Sequence, residues 1–244
     1  MTNPFAYVPF AIAARGGMID AVPASQLTMA GVTLLRASAT LVRALHGGQS
    51  AILLRSGAAY LTALAASDGR AALLLDPAER AEVIARRLAV ADVGAVFTVH
   101  AFAPLLPPGI AHVWLDQAPA RATIVTDGAM REVSLTGHDA LRLDGDAGED
   151  GADEPCVLVG AHGTGAESAR EAITHRTLLA QARAAARRLR AGDVVRPTAP
   201  FCQASGLVTG LLGPLLAGAH VRTVGAVLDV PVERRNDVPL EPGG

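Results

Sequence analysis

The chain has 244 residues, half of them apolar, with a formal net charge of -2. That is enough for one good-sized core or two small ones, and too little positive charge for a nucleic-acid backbone to be the main partner. All 21 basic residues are arginines, which excludes any mechanism that draws a side-chain amine from this chain alone, whether as a Schiff base or as a mobile ammonium on a phosphate.

Residues 1–30 read as a lead-in. Its apolar run PFAYVPFAIAA (4–14) has no positive charge before it and so does not read as a signal peptide. From about residue 32, Leu34, Leu35, Leu41, Val42 and Leu45 recur at helical spacing, and Gly47-Gly48 stops the helix. AILL (51–54) reads as a short buried strand. A helix through Tyr60, Leu61 and Leu64 ends near Gly69, and AALLL (71–75) is a second buried strand. Asp76-Pro77-Ala78-Glu79 has the composition of a helix start: Asp76 as cap, Pro77 in the first position, Glu79 reaching back to the cap. Val83, Ile84 and Leu88 supply the apolar face of that helix, and GAVFTV (94–99) is the next strand. Strands apolar on both sides and separated by helices imply a mostly parallel sheet with helices on both faces, an α/β fold.

HVWLD (112–116) and ATIVTD (122–127) read as further strands, after which no clear period is found up to 154. The acidic, glycine-rich run LDGDAGEDGADE (143–154) lacks the ligand spacing and closing glutamate of a calcium loop, and reads as a solvated surface loop. Strand PCVLVG (155–160) leads into the glycine-bearing stretch from 161, and a helix follows from about 175 to 190. It turns Leu178, Leu179, Ala182 and Leu189 inward and Arg183, Arg187 and Arg190 to solvent. DVVRPTAP (193–200) reads as a strand running into a loop, 205–217 as a helix and HVRTVG (220–225) as a strand. The run 206–221 is too short, and too broken by Gly210, Gly213, Pro214 and Gly218, to span a bilayer. From 226 to 244 the chain carries prolines and no period, as in a tail that is poorly ordered at its end. Cys156 and Cys202 lie far apart in apolar surroundings, as two buried thiols do in a reducing compartment. A cytoplasmic protein without a membrane span is expected.

Taken in order, these pieces resemble the beginning of the adenylate-forming enzymes, the family of acyl-CoA synthetases and AMP-binding ligases. AILLRSGAAYLTALAASDGRAALLLDPAERAEVIARRLAVADVGAVFT resembles the family's early pair of βα units. ADEPCVLVGAHGTGAESAREAITHRTLLAQA resembles its strand, phosphate loop and THRNL helix. APFCQASGLVTGLLGPLLAGAHV resembles its PLFH..G turn, apolar helix and following strand. The likeness spans roughly residues 30 to 225. It implies a partial AMP-binding-like domain over 31–225, an incomplete N-terminal domain of the adenylate-forming fold. The implied reaction is ATP-dependent activation of a carboxylic acid through an acyl-adenylate, followed by transfer to the thiol of CoA.

The family loop TSGTTGxPKG aligns without gaps when anchored on Thr174-His175-Arg176. His162 then stands at the serine, Gly163 and Thr164 match, Gly165 replaces the second threonine and Ala166 a glycine, while Ser168 and Ala169 replace the proline and lysine. Arg170 is one position beyond and can lend charge, with a planar fork in place of an ammonium. The resemblance thus assigns ATP with Mg2+ to His162, Gly163, Thr164, Gly165 and Arg170, and the border of the acyl pocket to Gln203 and Gly206. Gln203 stands where the family often has histidine, and Cys202 where it often has phenylalanine. The resemblance places the adenine-stacking tyrosine, the ribose-binding aspartate and the catalytic lysine beyond the segments matched here. Weak or absent activity of this chain alone is therefore expected.

From the residues themselves, three readings of the loop stand open. Successive N–H groups at Gly163, Thr164 and Gly165 can form a nest for phosphate without lysine; the loop can be purely structural; or Gly160, Gly163 and Gly165 can be a loose dinucleotide fingerprint. The last has its glycines in the wrong order and no acid ending the next strand. Neither His162 nor His175 pairs with Cys or Asp at metal-ligand spacing, and no metal site is assigned. A second class of function also stands: a non-catalytic interaction module, a homo-oligomer, or half of a split ligase. There, helix 205–217 and strand 220–225, left near an exposed sheet edge, would dock on a separately encoded second half.

Overall fold

The computed structural model describes residues 15–37, 48–67, 70–116, 120–126, 129–136, 152–160 and 170–223. The elements begin with β1 (Met18–Ile19), β2 (Val22–Pro23), α1 (Ala24–Ala37), β3 (Gln49–Leu53), α2 (Ala58–Ala66), β4 (Ala72–Leu74), α3 (Ala81–Val90) and β5 (Val93–Thr98). A 3-10 helix (His100–Leu105), β6 (Ala111–Leu115), β7 (Arg121–Thr126), β8 (Ala129–Ser134), β9 (Pro155–Gly160), β10 (Arg170–Thr174) and α4 (His175–Ala186) follow. The last are β11 (Val194–Val195), a π-helical stretch (Gly206–Leu212), α5 (Gly213–Leu216) and β12 (His220–Val221).

Eight strands form one sheet in the order β10-β9-β4-β3-β5-β6-β7-β8, and four form a second in the order β11-β12-β1-β2. In the larger sheet β9, β4, β3, β5 and β6 are parallel neighbours. Antiparallel strands extend it at both ends, β10 beside β9, and β7 and β8 beyond β6. Period-2 geometry sends alternate apolar side chains to opposite faces. Ile52, Leu74, Phe97, Val157 and Val159 pack with Leu27, Leu34, Tyr60, Leu178, Leu207 and Leu211 from α1, α2, α4 and the π-helical stretch. Ala51, Leu53, Leu73, Leu75, Val96 and Leu158 pack with Ile84 and Leu88 of α3. Each large side chain so buried contributes about 1.5–3 kcal/mol. The mostly parallel sheet with helices on both faces is the architecture expected from the sequence. Helix α2 is buried on every side, as an apolar-all-round helix must be, and Thr62 donates its hydroxyl to the Leu27 carbonyl of α1 at 3.1 Å.

Several elements depart from expectation. The first helix begins at Ala24, not near 32, while Leu41, Val42 and Leu45 lie outside the described residues, as do 1–14, 137–151 and the tail. Asp76 does not cap a helix. Its carboxylate accepts the Ala78 N–H at 2.9 Å and its carbonyl the Glu79 N–H at 3.0 Å, so Asp76-Pro77-Ala78-Glu79 closes a turn by local side-chain bonding. The helix starts at Ala81 instead. Strand β10 stands where a loop was expected to run directly into a helix. Its Arg, Glu and Ala favour helix, but pairing along β9 overrides that preference. Of 193–200, only Val194 and Val195 form a strand, and Pro197 cannot extend the ladder.

The second sheet places Met18 opposite His220 and Ile19 opposite Val221. Asp20 and Ala21, at φ 46° and 71°, make the two-residue turn between β1 and β2, and positive φ at both matches the twist of the hairpin. The Asp20 carboxylate also accepts the Thr223 N–H at 2.6 Å and the Thr223 hydroxyl. Strand β12 therefore lies between β11 and β1, not at an open edge. Gly206, Leu207, Val208 and Gly210 to Leu215 are buried within the chain's own core. Among the described residues, the apolar side chains of 206–215 and Val221, expected to dock on a second half, are thus buried against the chain's own core.

Candidate functional site

Parallel strands end together, and their carboxyl ends form one rim of the large sheet. In open α/β sheets ligands bind in the crevice outside such ends. Here the rim is made by Arg55 and Ser56 after β3, Asp76 after β4, Thr98 closing β5, and Gly160 closing β9. Thr98 holds its neighbour by donating its hydroxyl to the Leu53 carbonyl at 3.1 Å. Arg55 lies with its guanidinium carbon 5.6 Å from the centre of the Phe102 ring, a cation–π contact.

The segment from Phe201 to Gly206 docks on this rim. Ser56 accepts the Phe201 N–H at 3.0 Å, and the Phe201 ring meets Tyr60 edge-on at 5.5 Å. Gln203 is half-buried, its N–H bonded to the Pro200 carbonyl at 3.0 Å and its own carbonyl to the Leu207 N–H at 2.9 Å. At Gly206 the place of a Cβ is taken by backbone oxygens, 2.1 Å from that of Pro200 and 2.6 Å from that of Ala199. Gln203 and Gly206, the residues expected at the pocket border, thus belong to one tight turn beside Tyr60 and Ser56.

Burial sets the chemistry here. The Cys202 thiol is pushed up to about 12, by desolvation first and then by the Asp76 carboxylate, and burial drives Cys156 higher still. Both are free thiols, as expected, and neither is the thiolate a nucleophile needs. Tyr60 is raised well above its ordinary value by burial, then by Cys202 and Asp76. Its hydroxyl has no hydrogen-bond partner among the described residues.

Beyond β9, the expected phosphate residues His162, Gly163, Thr164 and Gly165 lie outside the described residues, and of Arg170 only the backbone is described. The register does place Arg170 opposite Gly160 across the β9–β10 pair. At the far end of β10, Thr174 caps α4 by accepting the Thr177 N–H at 3.2 Å, and His175 is buried in the first turn, as expected of the THR segment. Arg176 forks onto Asp153 at 2.8 and 3.3 Å and holds that carboxyl below its ordinary range, through the hydrogen bond first and the charge second. Thr174→Ala is expected to cost about 1 kcal/mol, read as a lower urea midpoint with an unchanged slope.

Arg87 of the rim carries no motif, and Glu79 was expected only at a helix start. Arg87 lies in the last turn of α3, but helical side chains tilt toward the N-terminus, and α3 begins at the rim. Its guanidinium reaches the Glu79 carboxylate at 2.9 Å and lies against Gly160. Only that tilt, with the rule of strand ends, could have pointed to it in the sequence. Among the described residues no three of His, Cys, Asp and Glu gather to hold a metal ion. No helix among them is long and apolar enough to cross a membrane.

No family model matches the chain, and no curated protein does. Solved structures do. ATP-bound MatB from Rhodopseudomonas palustris superposes with a TM-score of 0.64 at 16% identity, over 91% of this chain and 45% of that one. The inhibitor-bound N-terminal domain of FACL13 from Mycobacterium tuberculosis gives 0.64 at 15% identity, over 91% and 57%. The AMPPNP-bound form of the nonribosomal peptide synthetase FmoA3 gives 0.62 at 22% identity, over 89% and 22%. These neighbours are adenylate-forming ligases, and the chain has the fold of their N-terminal part. It spans about half the length of several of them.

Proposed function

We propose that the chain binds the phosphates of ATP at the carboxyl-end rim of its large sheet, as the phosphate-holding part of a ligase that activates a carboxylic acid as its adenylate. The observation that supports this most is the hairpin of β9 and β10. Its open ends, Gly160 and Arg170, lie opposite each other at the strand-end rim, the glycine-bearing stretch 161–169 joins them in the sequence, and the fold is shared with ATP-bound MatB. On this reading Gly163, Thr164 and Gly165 offer N–H and hydroxyl donors to phosphate, His162 and Arg170 flank them, and Gln203 and Gly206 border the acyl group. When bound, ATP–Mg2+ supplies the electrophilic phosphorus and the leaving pyrophosphate.

The residues of this chain bind and orient rather than complete the reaction. No lysine is present, and adenylyl transfer depends on fixed positive charge at the phosphates. A carboxylic acid and CoA are the substrates this reading assigns, and a separately encoded second half or a second copy of the chain is the partner that completes it. Isothermal titration of the purified chain with ATP–Mg2+ is expected to show saturable binding, and Thr164→Ala/Gly165→Val to abolish it. A folded wild-type chain that takes up no ATP at millimolar concentration overturns the reading.

A further inference from the structure

We infer that Arg87, held by Glu79 and seated on Gly160, is the fixed cation of a polyphosphate site at the end of β9. This deepens the nucleotide reading above and rests on it. Three observations converge. First, Gly160 is the last residue of β9, and a Cβ built there would stand 2.2 Å from one terminal guanidinium nitrogen of Arg87, 3.2 Å from the other and 3.0 Å from the guanidinium carbon. The bare glycine is what admits the guanidinium to the strand end. Second, the other side of the group is fixed by the 2.9 Å ion pair with Glu79, both side chains being largely buried. Third, the buried Nε of Arg87 has no hydrogen-bond partner among the described residues.

Stability alone does not account for the pair. Replacing a buried ion pair by apolar side chains is often neutral or favourable, and α3 already anchors itself through Ile84 and Leu88. A guanidinium held permanently charged at the strand-end crevice, with one donor unused, fits recognition of an anion. Arg55, the other rim arginine, is engaged on Phe102. In a chain without lysine, Arg87 takes over the charge that an ammonium would supply, approaching from the α3 face of the sheet.

The test uses the full chain, titrated calorimetrically with inorganic tripolyphosphate and, separately, with ATP–Mg2+. Gly160→Ala is the first variant. It leaves every charge in place and meets only the guanidinium of Arg87, and circular dichroism confirms that the fold is retained. Glu79→Gln/Arg87→Gln removes both charges together and avoids an unpaired carboxylate, with circular dichroism to confirm folding. Both variants are expected to weaken tripolyphosphate binding about tenfold or more, and the loss of Arg87 to flatten the salt dependence of what remains. Wild-type affinity for tripolyphosphate in folded Gly160→Ala overturns the inference, as does a wild-type chain that takes up none. If the variants keep wild-type affinity for ATP–Mg2+, the Arg87 site is wrong and the nucleotide reading stands. If tripolyphosphate binds through Arg87 while ATP–Mg2+ is ignored, the site stands and the nucleotide reading falls.

Discussion

Gly206→Ala is expected to lower stability by about 3 kcal/mol, at the upper end of the range for overpacking a filled core. The added methyl meets no side chain that can turn aside. It meets the carbonyl oxygens of Pro200 and Ala199, at 2.1 and 2.6 Å. Relief must come from moving the turn itself, which carries the Phe201 N–H bonded to Ser56 and the Phe201 ring packed on Tyr60. The same shift unseats Gln203, so Gly206→Ala is also expected to disturb the rim in any fraction that remains folded. Urea denaturation followed by circular dichroism reads the first effect. A midpoint within error of wild type would show that the turn yields freely, and Gly206 would then lose its packing role.

Stability is also expected to fall steeply in alkali. Cys156 and Cys202 carry folded-state values far above the ordinary 9.0, Cys202 at about 12, because burial penalises the thiolate. Below 9 both states keep the protons and stability is at its full value. Above 9 the unfolded chain releases them while the folded chain holds them, so stability declines by about 1.4 kcal/mol per pH unit for each thiol. Between about pH 8 and about pH 10.5 the two thiols together remove about 4 kcal/mol. Tyr60, raised by burial and then by Cys202 and Asp76, adds to the decline above its ordinary value. Urea midpoints across that range are expected to drop in the wild type and to drop about half as steeply in Cys156→Ala. A pH-independent midpoint would mean that the thiols are as exposed folded as unfolded.

The parallel core was legible because its strands bury both faces. Runs such as AILL and AALLL have no solvent side to interrupt them, and the segments between them carry helical periods. Strand β8 was illegible for the opposite reason, since nearly all of its residues are exposed and no apolar alternation marks it. Among its described side chains strand β10 buries only Ile173, and it owes its form to a neighbour, β9, that local sequence does not announce. The small sheet is built from two-residue strands, shorter than any period that can be read, joined by an Asp20-Ala21 turn without the usual glycine. At the rim, Gln203 and Gly206 were found by motif and do lie together. Arg87 was read only as part of a helix, because its meeting with Gly160 depends on sheet order, with β4 and β9 brought side by side.

The pairing of β1 with β12 has a consequence for the order of events in folding. Met18 and Ile19 leave a ribosome long before their partners His220 and Val221. The β1–β2 hairpin must wait, unpaired along one side, while most of the intervening chain is synthesised. Closing so long a loop is entropically costly and kinetically slow. A nascent chain halted before β12 therefore carries an open strand edge of the kind that chaperones engage.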